Sequence, residues 1–471
     1  MPYVVIEDFK SGLDRRKAQA ASPQGSLQVL TNAHITRGGE IEKRLAFVPT
    51  HSVPGTFGLA GANGQLYVFS SSEVALPSGI DGQVLSNPSG AAMTKIVDAE
   101  FFEGKIFTLA RYADGKTLPF YDAVRVEDWA ETSGLTVAGK TPTTVLTVKS
   151  KVYAAFESTL AFSAISAPRD WGGGDGSGEG FITMSNQAAG FETLTALGRY
   201  QGYMAVFARR NTQIWYLDSD PIQNAQRQVI PNVGTFAPES VVNFGDIDVI
   251  FLSDTGVRSL KARDASNQAG VSDIGTPIDG EIIEYMHSLT EAQKAASCAV
   301  MEPIDGRYLC AIGERVYAFS YFPTSKISSW SRYDPGFTVD KWVAMDGALY
   351  ARSGDTIYTL GGSNGQTYDD CEVEVELPYI DGRQVATWKK FTGLDLICTG
   401  EWAVYINTDP NVPDVWTKIA IIKDSTISTA PRLKLDMTGE SPMIKLRFLN
   451  QRSGPATLSK VVVHFAAEQA N

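Results

Sequence analysis

The chain is poor in the residues from which chemical centres are usually built. It has four cysteines (Cys298, Cys310, Cys371, Cys398) and four histidines (His34, His51, His287, His464) among 471 residues. The cysteines are scattered and none stands in a CxxC pair. They read as buried free thiols rather than zinc ligands, a usage that suits assembly in a reducing cytoplasm. No His-Glu-x-x-His occurs and no histidine neighbours a cysteine, while the Gly-x-Ser-x-Gly spacing of Gly361-Gly-Ser-Asn-Gly365 falls in a linker by composition and not at a strand–helix elbow. Hydrolytic triads and zinc hydrolases therefore have no support. His287, without a partner cluster, reads as a surface or packing residue. Long apolar runs are missing too. No stretch approaches ~18 uninterrupted apolar residues, so no transmembrane helix is expected. The opening Met-Pro-Tyr-Val-Val-Ile-Glu-Asp lacks the basic region and apolar core of a secretory signal. Positive charge is also short. A net charge of −12 argues against a general nucleic-acid binder, yet fits a surface past which DNA slides without sticking. No cofactor is expected.

What the chain does have is turns and short strands. Apolar residues at 43% and charged residues at 20% describe an ordinary globular protein, and 43 Gly with 22 Pro supply the turns of an all-β fold. From residue 148 to 260 a strand–turn–strand unit recurs. Lys151-Val-Tyr-Ala-Ala-Phe156 precedes Ser158-Thr-Leu-Ala-Phe-Ser163, Gly202-Tyr-Met-Ala-Val-Phe207 precedes Asn211-Thr-Gln-Ile-Trp-Tyr-Leu217, and Asp248-Val-Ile-Phe-Leu252 precedes Gly256-Val-Arg-Ser-Leu260. The unit also stands at Gly64-Gln-Leu-Tyr-Val-Phe69, Gly104-Lys-Ile-Phe-Thr-Leu109, Arg315-Val-Tyr-Ala-Phe319 and Thr356-Ile-Tyr-Thr-Leu360. A spacing of roughly 40–60 residues is that of propeller blades. A hairpin cannot bury its own face, whereas radial stacking buries it against neighbours. The expectation is an all-β chain with a β-propeller of about six to eight blades.

Three regions follow. Residues 1–50 read as an N-terminal arm with first strands, and 51–365 as the propeller. A short helical insertion is expected near 278–300, where Ile282, Ile283 and Met286 fall at helical spacing. After Gly361-Gly-Ser-Asn-Gly365 the period ends. Residues 366–471, from the alternating Cys371-Glu-Val-Glu-Val-Glu-Leu377 to Ser459-Lys-Val-Val-Val-His-Phe465, read as a β-sandwich.

The N-terminal order is specific in arrangement. Asp8-Phe-Lys-Ser-Gly-Leu-Asp14 is followed by a Pro-containing spacer, a Leu-rich strand ending in Asn32, the Gly38-Gly39 turn and a Lys43-Arg44 strand. This order resembles the start of the tail tubular protein B family, the head-to-tail connecting nozzle proteins of short-tailed bacteriophages. Phe9, Gly12, Leu13, Asn32, Gly38, Gly39, Lys43 and Arg44 carry the match. The later succession is similar to the same family: Leu160-Ala-Phe-Ser163, Pro168-Arg-Asp-Trp171, a polar loop, then Val206-Phe207 and Ile214-Trp215, with Trp388-Lys-Lys-Phe391 and Leu458-Ser-Lys-Val-Val-Val-His464 in the last segment.

The resemblance implies a non-enzymatic virion protein, a tail nozzle subunit in a ring, by that likeness a hexamer. Its partners would be other copies of the chain, the adaptor next to the portal, and tail fibre or spike proteins. DNA would transit the channel without specific binding. The location implied is the virion tail, after assembly in the host cytoplasm. Subunit contacts are expected on the propeller flanks, the sandwich and the N-terminal arm, with Phe9, Arg15, Arg16 and Arg44 as arm contacts. The Gly-rich loop Gly172-Gly173-Gly174-Asp175-Gly176-Ser-Gly-Glu179 reads either as a plain solvated connector or as a loop that faces a channel or a neighbour. As a calcium loop through Asp170, Asp175 and Glu179 it lacks the alternating EF-hand spacing. The alternative function is a carbohydrate-binding adsorption propeller using Trp171, Trp215, Trp330 and Trp402, and less so a propeller glycosidase. For the latter, two of the 53 acids would have to meet across the propeller, and no local pattern selects them.

Overall fold

The recurring units assemble into seven blades, six as separate small sheets and one as part of a larger sheet. The computed structural model describes all residues except 1, 72–78, 128–140, 172–177, 185–191, 246–247, 263–268, 385–386, 424–432, 436–439 and 468–471. Blade 1 comprises Thr56–Ala62, Gln65–Ser70 and Ile80–Gln83; blade 2 comprises Met93–Phe102, Lys105–Tyr112, Thr117–Tyr121 and Val124–Arg125. Blade 3 comprises Pro142–Val148, Lys151–Phe156, Thr159–Phe162 and Gly180–Thr183; blade 4 comprises Leu194–Tyr200, Tyr203–Ala208, Asn211–Tyr216 and Ala225–Pro231. Blade 5 comprises Val242–Phe244, Asp248–Ser253, Gly256–Ala262 and Ala269–Ser272; blade 6 comprises Cys298–Met301, Tyr308–Ile312, Arg315–Phe322 and Ile327–Tyr333. Blade 7 comprises Lys341–Met345, Ala348–Ser353 and Thr356–Leu360, completed by Phe47–Ser52 from near the chain start. The innermost strands lie side by side in chain order, and Lys341–Met345 returns against Thr56–Ala62. The ring is closed by hydrogen bonds between the first and last thirds of the chain, so opening it costs a strand pairing.

Packing explains the sequence pattern. Strand Lys151–Phe156 is buried at all six positions. Val152, Ala154 and Phe156 join the core shared with blade 2, while Tyr153 and Ala155 join the core shared with blade 4. Alternation with period two sends neighbours to opposite faces, and in a propeller both faces are covered. A middle strand therefore reads as a continuous apolar run. Each junction between blades carries its own apolar cluster in this way.

Two helices, Asp279–His287 and Glu291–Ala295, occupy the 278–300 insertion. The first sets Ile282 and Met286, four apart, into the core between blades 5 and 6. The second opens on a capping box in which Thr290 and Gln293 satisfy each other's backbone donors.

The first fifty residues do not stand apart as an arm. Tyr3–Ile6 pairs with Thr457–Ala467, and the hairpin Ala33–Ile35 with Ile41–Lys43 joins the same sandwich sheet. Val29–Thr31 lies between Ile327–Tyr333 of blade 6 and Val373–Glu376 of the second sandwich sheet. One nine-stranded sheet thereby runs from blade 6 through Val29–Thr31 to Lys445–Asn450, Trp402–Asn407 and Thr417–Ile422. The sandwich, expected from 366–471 alone, takes its core from both ends of the chain, with Phe9, Leu27, Leu30 and Ile41 packed among Val373, Trp402, Phe448 and Val463. Val29–Thr31 finds its partners about 300 residues or more away, a relation that no local pattern encodes.

Candidate functional site: the throat of the propeller

The innermost strands enclose a cavity of about 280 Å³ on the propeller axis. An inner strand has one face toward this axis, so its polar residues there meet side chains from other blades. Asp98 and Glu100, two apart on the inner strand of blade 2, both point this way. Asp98 Oδ2 accepts from Thr144 Oγ1 at 2.8 Å and from the Val145 amide at 2.9 Å on blade 3. Glu100 Oε2 accepts from Thr147 Oγ1 of blade 3 and from Arg199 Nη2 of blade 4, each at 3.0 Å. Arg199 also donates to the Thr147 carbonyl, and its amide donates to Asn243 Oδ1 of blade 5 at 3.2 Å. Across the cavity Lys341 of blade 7 pairs with Glu239, which precedes blade 5.

The charges are spent on one another. Burial pushes the Glu100 carboxyl above its ordinary range, against the pull of Arg199. Burial opposes the charge on Lys341, but the Glu239 and Asp98 carboxylates outweigh it and hold the ammonium above its ordinary pKa. The throat is thus a polar belt that ties the inner ends of five blades. Its carboxylates are engaged by Thr144, Thr147, Arg199 and Lys341. Among the described residues no cluster of three His, Cys, Asp or Glu is placed to share a metal ion. The local cue to this site is the pair Asp98 and Glu100 inside an otherwise apolar strand; their partners lie 46 or more residues away.

The residues nominated from sequence lie elsewhere. Gly172, Gly173, Gly174, Asp175 and Gly176 lie outside the described residues. Glu179, at the end of that loop, is half-buried near Lys151. The Lys151 ammonium is held by the carbonyls of Gly178 at 2.6 Å and Ser219 at 2.8 Å, which ties the end of the loop to blades 3 and 4. Trp171, Trp215, Trp330 and Trp402 are at most 4% exposed, and each indole N–H is donated within the protein. They pack cores and present no stacking face.

Phe9, Arg15, Arg16 and Arg44 are used inside the chain. Phe9 is fully buried in the sandwich core. Arg16 pairs with Asp14 at 2.6 Å. Arg44 donates to Asn32 Oδ1 at 2.9 Å and Asp369 Oδ2 at 3.0 Å. Arg15 reaches Glu281 on the first helix at 3.1 Å. Glu281, only 8% exposed, also receives Arg332 at 3.2 Å, with Arg315 at 3.7 Å. One buried carboxylate therefore joins the N-terminal segment, the helical insertion and blade 6, and sequence reading gives it no role.

A second buried polar group lies where the hairpin meets blade 6. His34 Nδ1 lies 2.9 Å from the Tyr333 hydroxyl, and His34 Nε2 faces Glu42 at 3.7 Å. Burial, reinforced by nearby Arg307, pulls the imidazole pKa down to about 4. With the ring neutral at pH 7, the Glu42 carboxylate facing Nε2 favours the hydrogen there, which leaves Nδ1 to accept from Tyr333.

No protein-family model and no curated protein matches the sequence. Solved structures similar to it share little sequence. The Neurospora crassa Pan2 WD40 domain is 11% identical, with 69% of this chain and 96% of that chain covered and a TM-score of 0.41. A chain of the mitotic checkpoint complex is 10% identical, covering 76% and 95% at TM-score 0.37. BamB from Moraxella catarrhalis is 12% identical, covering 70% and 90% at TM-score 0.34. The architecture stated above rests on the sheet topology and on the closed order of the blades.

Proposed function

We propose that this β-propeller protein is a structural tail-nozzle subunit of a short-tailed bacteriophage. It would assemble into a ring, a hexamer by the family likeness, between the adaptor at the portal and the distal tail with its fibres or spikes. DNA would pass through the centre of the ring, past an acidic surface that repels phosphate, and not through the throat of a single propeller. A ring demands that one face of each copy complement a different face of the next.

One observation carries this reading. Of the N-terminal residues that carry the nozzle resemblance, Phe9, Gly12, Leu13, Asn32, Lys43 and Arg44 converge on the seam between propeller and sandwich. Phe9 fills the sandwich core and Leu13 the core between blades 5 and 6. Gly12 has φ +58°, and a Cβ there would stand 2.6 Å from Ser329 Cβ and 2.7 Å from the Trp330 carbonyl. Asn32 donates to the Glu372 carbonyl and accepts from Arg44 Nε and the Asp334 amide. The Lys43 ammonium is held by the Asp369 and Arg452 carbonyls. A segment spent on locking two domains into one body suits a part that bears load. The throat carboxylates, spent on bracing blades, support a structural rather than a catalytic role.

The test is the state of assembly. Mass photometry and electron microscopy of the purified chain, beside native phage particles, should find a ring near six times 51.0 kDa, alone or at the tail. A protein that stays at 51.0 kDa and is absent from particles refutes the proposal.

A further inference from the structure

We propose that the groove between blades 5 and 6 binds a neutral carbohydrate, with one sugar ring stacked on Tyr321. The groove has a volume of about 400 Å³ and opens where the inner strand of blade 5 ends at Phe244. An aromatic row leads to it from the core. Trp330 is fully buried and lies 4.7 Å from Phe319, which is 4% exposed and stacks at 15° beside Tyr321, itself 40% exposed. Phe244 meets Tyr321 edge-on at 5.7 Å, which fixes the tilt of the ring. The row thus ends in a held aromatic face at the mouth of a concavity. This is the geometry that the four buried tryptophans lack.

Hydroxyls surround that face. Ser328 stands directly across the strand pair from Tyr321 and so lies on the same side of the sheet. On the opposing wall Ser259 and Ser272 are neighbours in register on blade 5. The Ser272 and Ser328 hydroxyls can donate and accept, whereas Ser259, 1% exposed, donates to Asp248. Two of the charged groups at the groove, Asp273 and Arg16, are held in ion pairs, and the third, Asp248, is hydrogen-bonded. The Asp248 carboxylate accepts from Ser259 Oγ at 3.0 Å, Asp273 pairs with Arg258 at 3.0 Å, and Arg16 pairs with Asp14. A site with a flat apolar face and two-way hydroxyls, its Asp273 and Arg16 already paired, is not built around a small ion. It fits a ligand whose C–H face is apolar and whose rim is all hydroxyl, which is the chemistry of a pyranose.

The test uses the full chain and saturation-transfer NMR. The probes are neutral trisaccharides of glucose, galactose, mannose or N-acetylglucosamine, with trilysine as the control. At least one trisaccharide should receive saturation at its ring C–H protons. Tyr321→Ala should weaken its binding about tenfold or more, while Tyr321→Phe, which keeps the ring, should stay within about threefold. Ser272→Tyr, filling the groove from the blade 5 side, should abolish binding independently, with thermal melts checking that each variant is folded. The proposal is overturned if no trisaccharide binds at millimolar concentration, or if binding is indifferent to both Tyr321→Ala and Ser272→Tyr. It is overturned equally if trilysine displaces the sugar, which would make the groove a seat for a basic segment. Ring formation is scored separately, so failure of the groove and failure of the nozzle reading are distinguishable.

Discussion

Acidification should loosen the seam between propeller and sandwich, and His34 sets the size of the effect. Its imidazole is 7% exposed and its pKa is lowered to about 4, first by burial and then by Arg307, against the opposing pull of Glu42 and Asp305. In the unfolded chain the ordinary value is 6.5. A group whose folded pKa lies below its unfolded one binds protons earlier in the unfolded state when that group is a base, so stability falls as pH drops through the window from 6.5 to 4 and levels off below it. With these two values the His34 contribution lost is about 2 kcal/mol at pH 5 and about 3 kcal/mol at pH 4. The carboxylates of the rest of the protein also titrate over this range, so the informative quantity is a difference. His34→Gln keeps an acceptor for the Tyr333 hydroxyl and removes the titration. Urea midpoints for both proteins at pH 7, 6, 5 and 4 should therefore converge as pH falls, the native protein losing more. Parallel curves would refute the reasoning, as would an NMR titration that finds the His34 ring protonating near 6.5.

Three further outcomes follow from the same contacts. Glu281→Ala should cost about 2 kcal/mol, because Arg332 then keeps only Asp334 and the contacts to Arg15 and Arg315 go with it; Arg15→Ala, whose side chain is half exposed, should cost about 1 kcal/mol or less, and denaturant unfolding measures both. Gly12→Ala places a Cβ against Ser329 and Trp330 at a positive φ and should cost about 2 kcal/mol or more, read as a lowered thermal midpoint. Deleting residues 1–52 removes the strand that completes blade 7 and four strands of the sandwich, so hydrogen exchange over 341–360 should accelerate well beyond that over blade 3; unchanged protection would mean that the ring holds without its closing strand.

Local pattern was enough for the elements themselves. Period-two runs bounded by Gly and Asp marked the blade strands, and Ile282 with Met286 marked the first helix, because these signals come from neighbours in sequence. The number of blades lay beyond it, since blade 7 borrows Phe47–Ser52 from the other end of the chain. So did the use of the first fifty residues, whose strands pair with 327–333, 373–376 and 457–467. The site was less legible still. The throat gathers Asp98, Arg199 and Lys341 from separate blades and Glu239 from the turn before blade 5, and Glu281 meets arginines 266 and 51 residues away. Four tryptophans that look like stacking residues in a list of motifs are core, while the aromatic at the groove mouth, Tyr321, sits in a strand like many others. Sequence alone determined that this chain would be strands closed in a ring with a second β-domain, because strand formation and hairpin turns depend on adjacent residues. Which faces meet, which charges cancel and which ring stays open to solvent were decided by the closure of the propeller, because that step brings together residues that the chain keeps hundreds of positions apart.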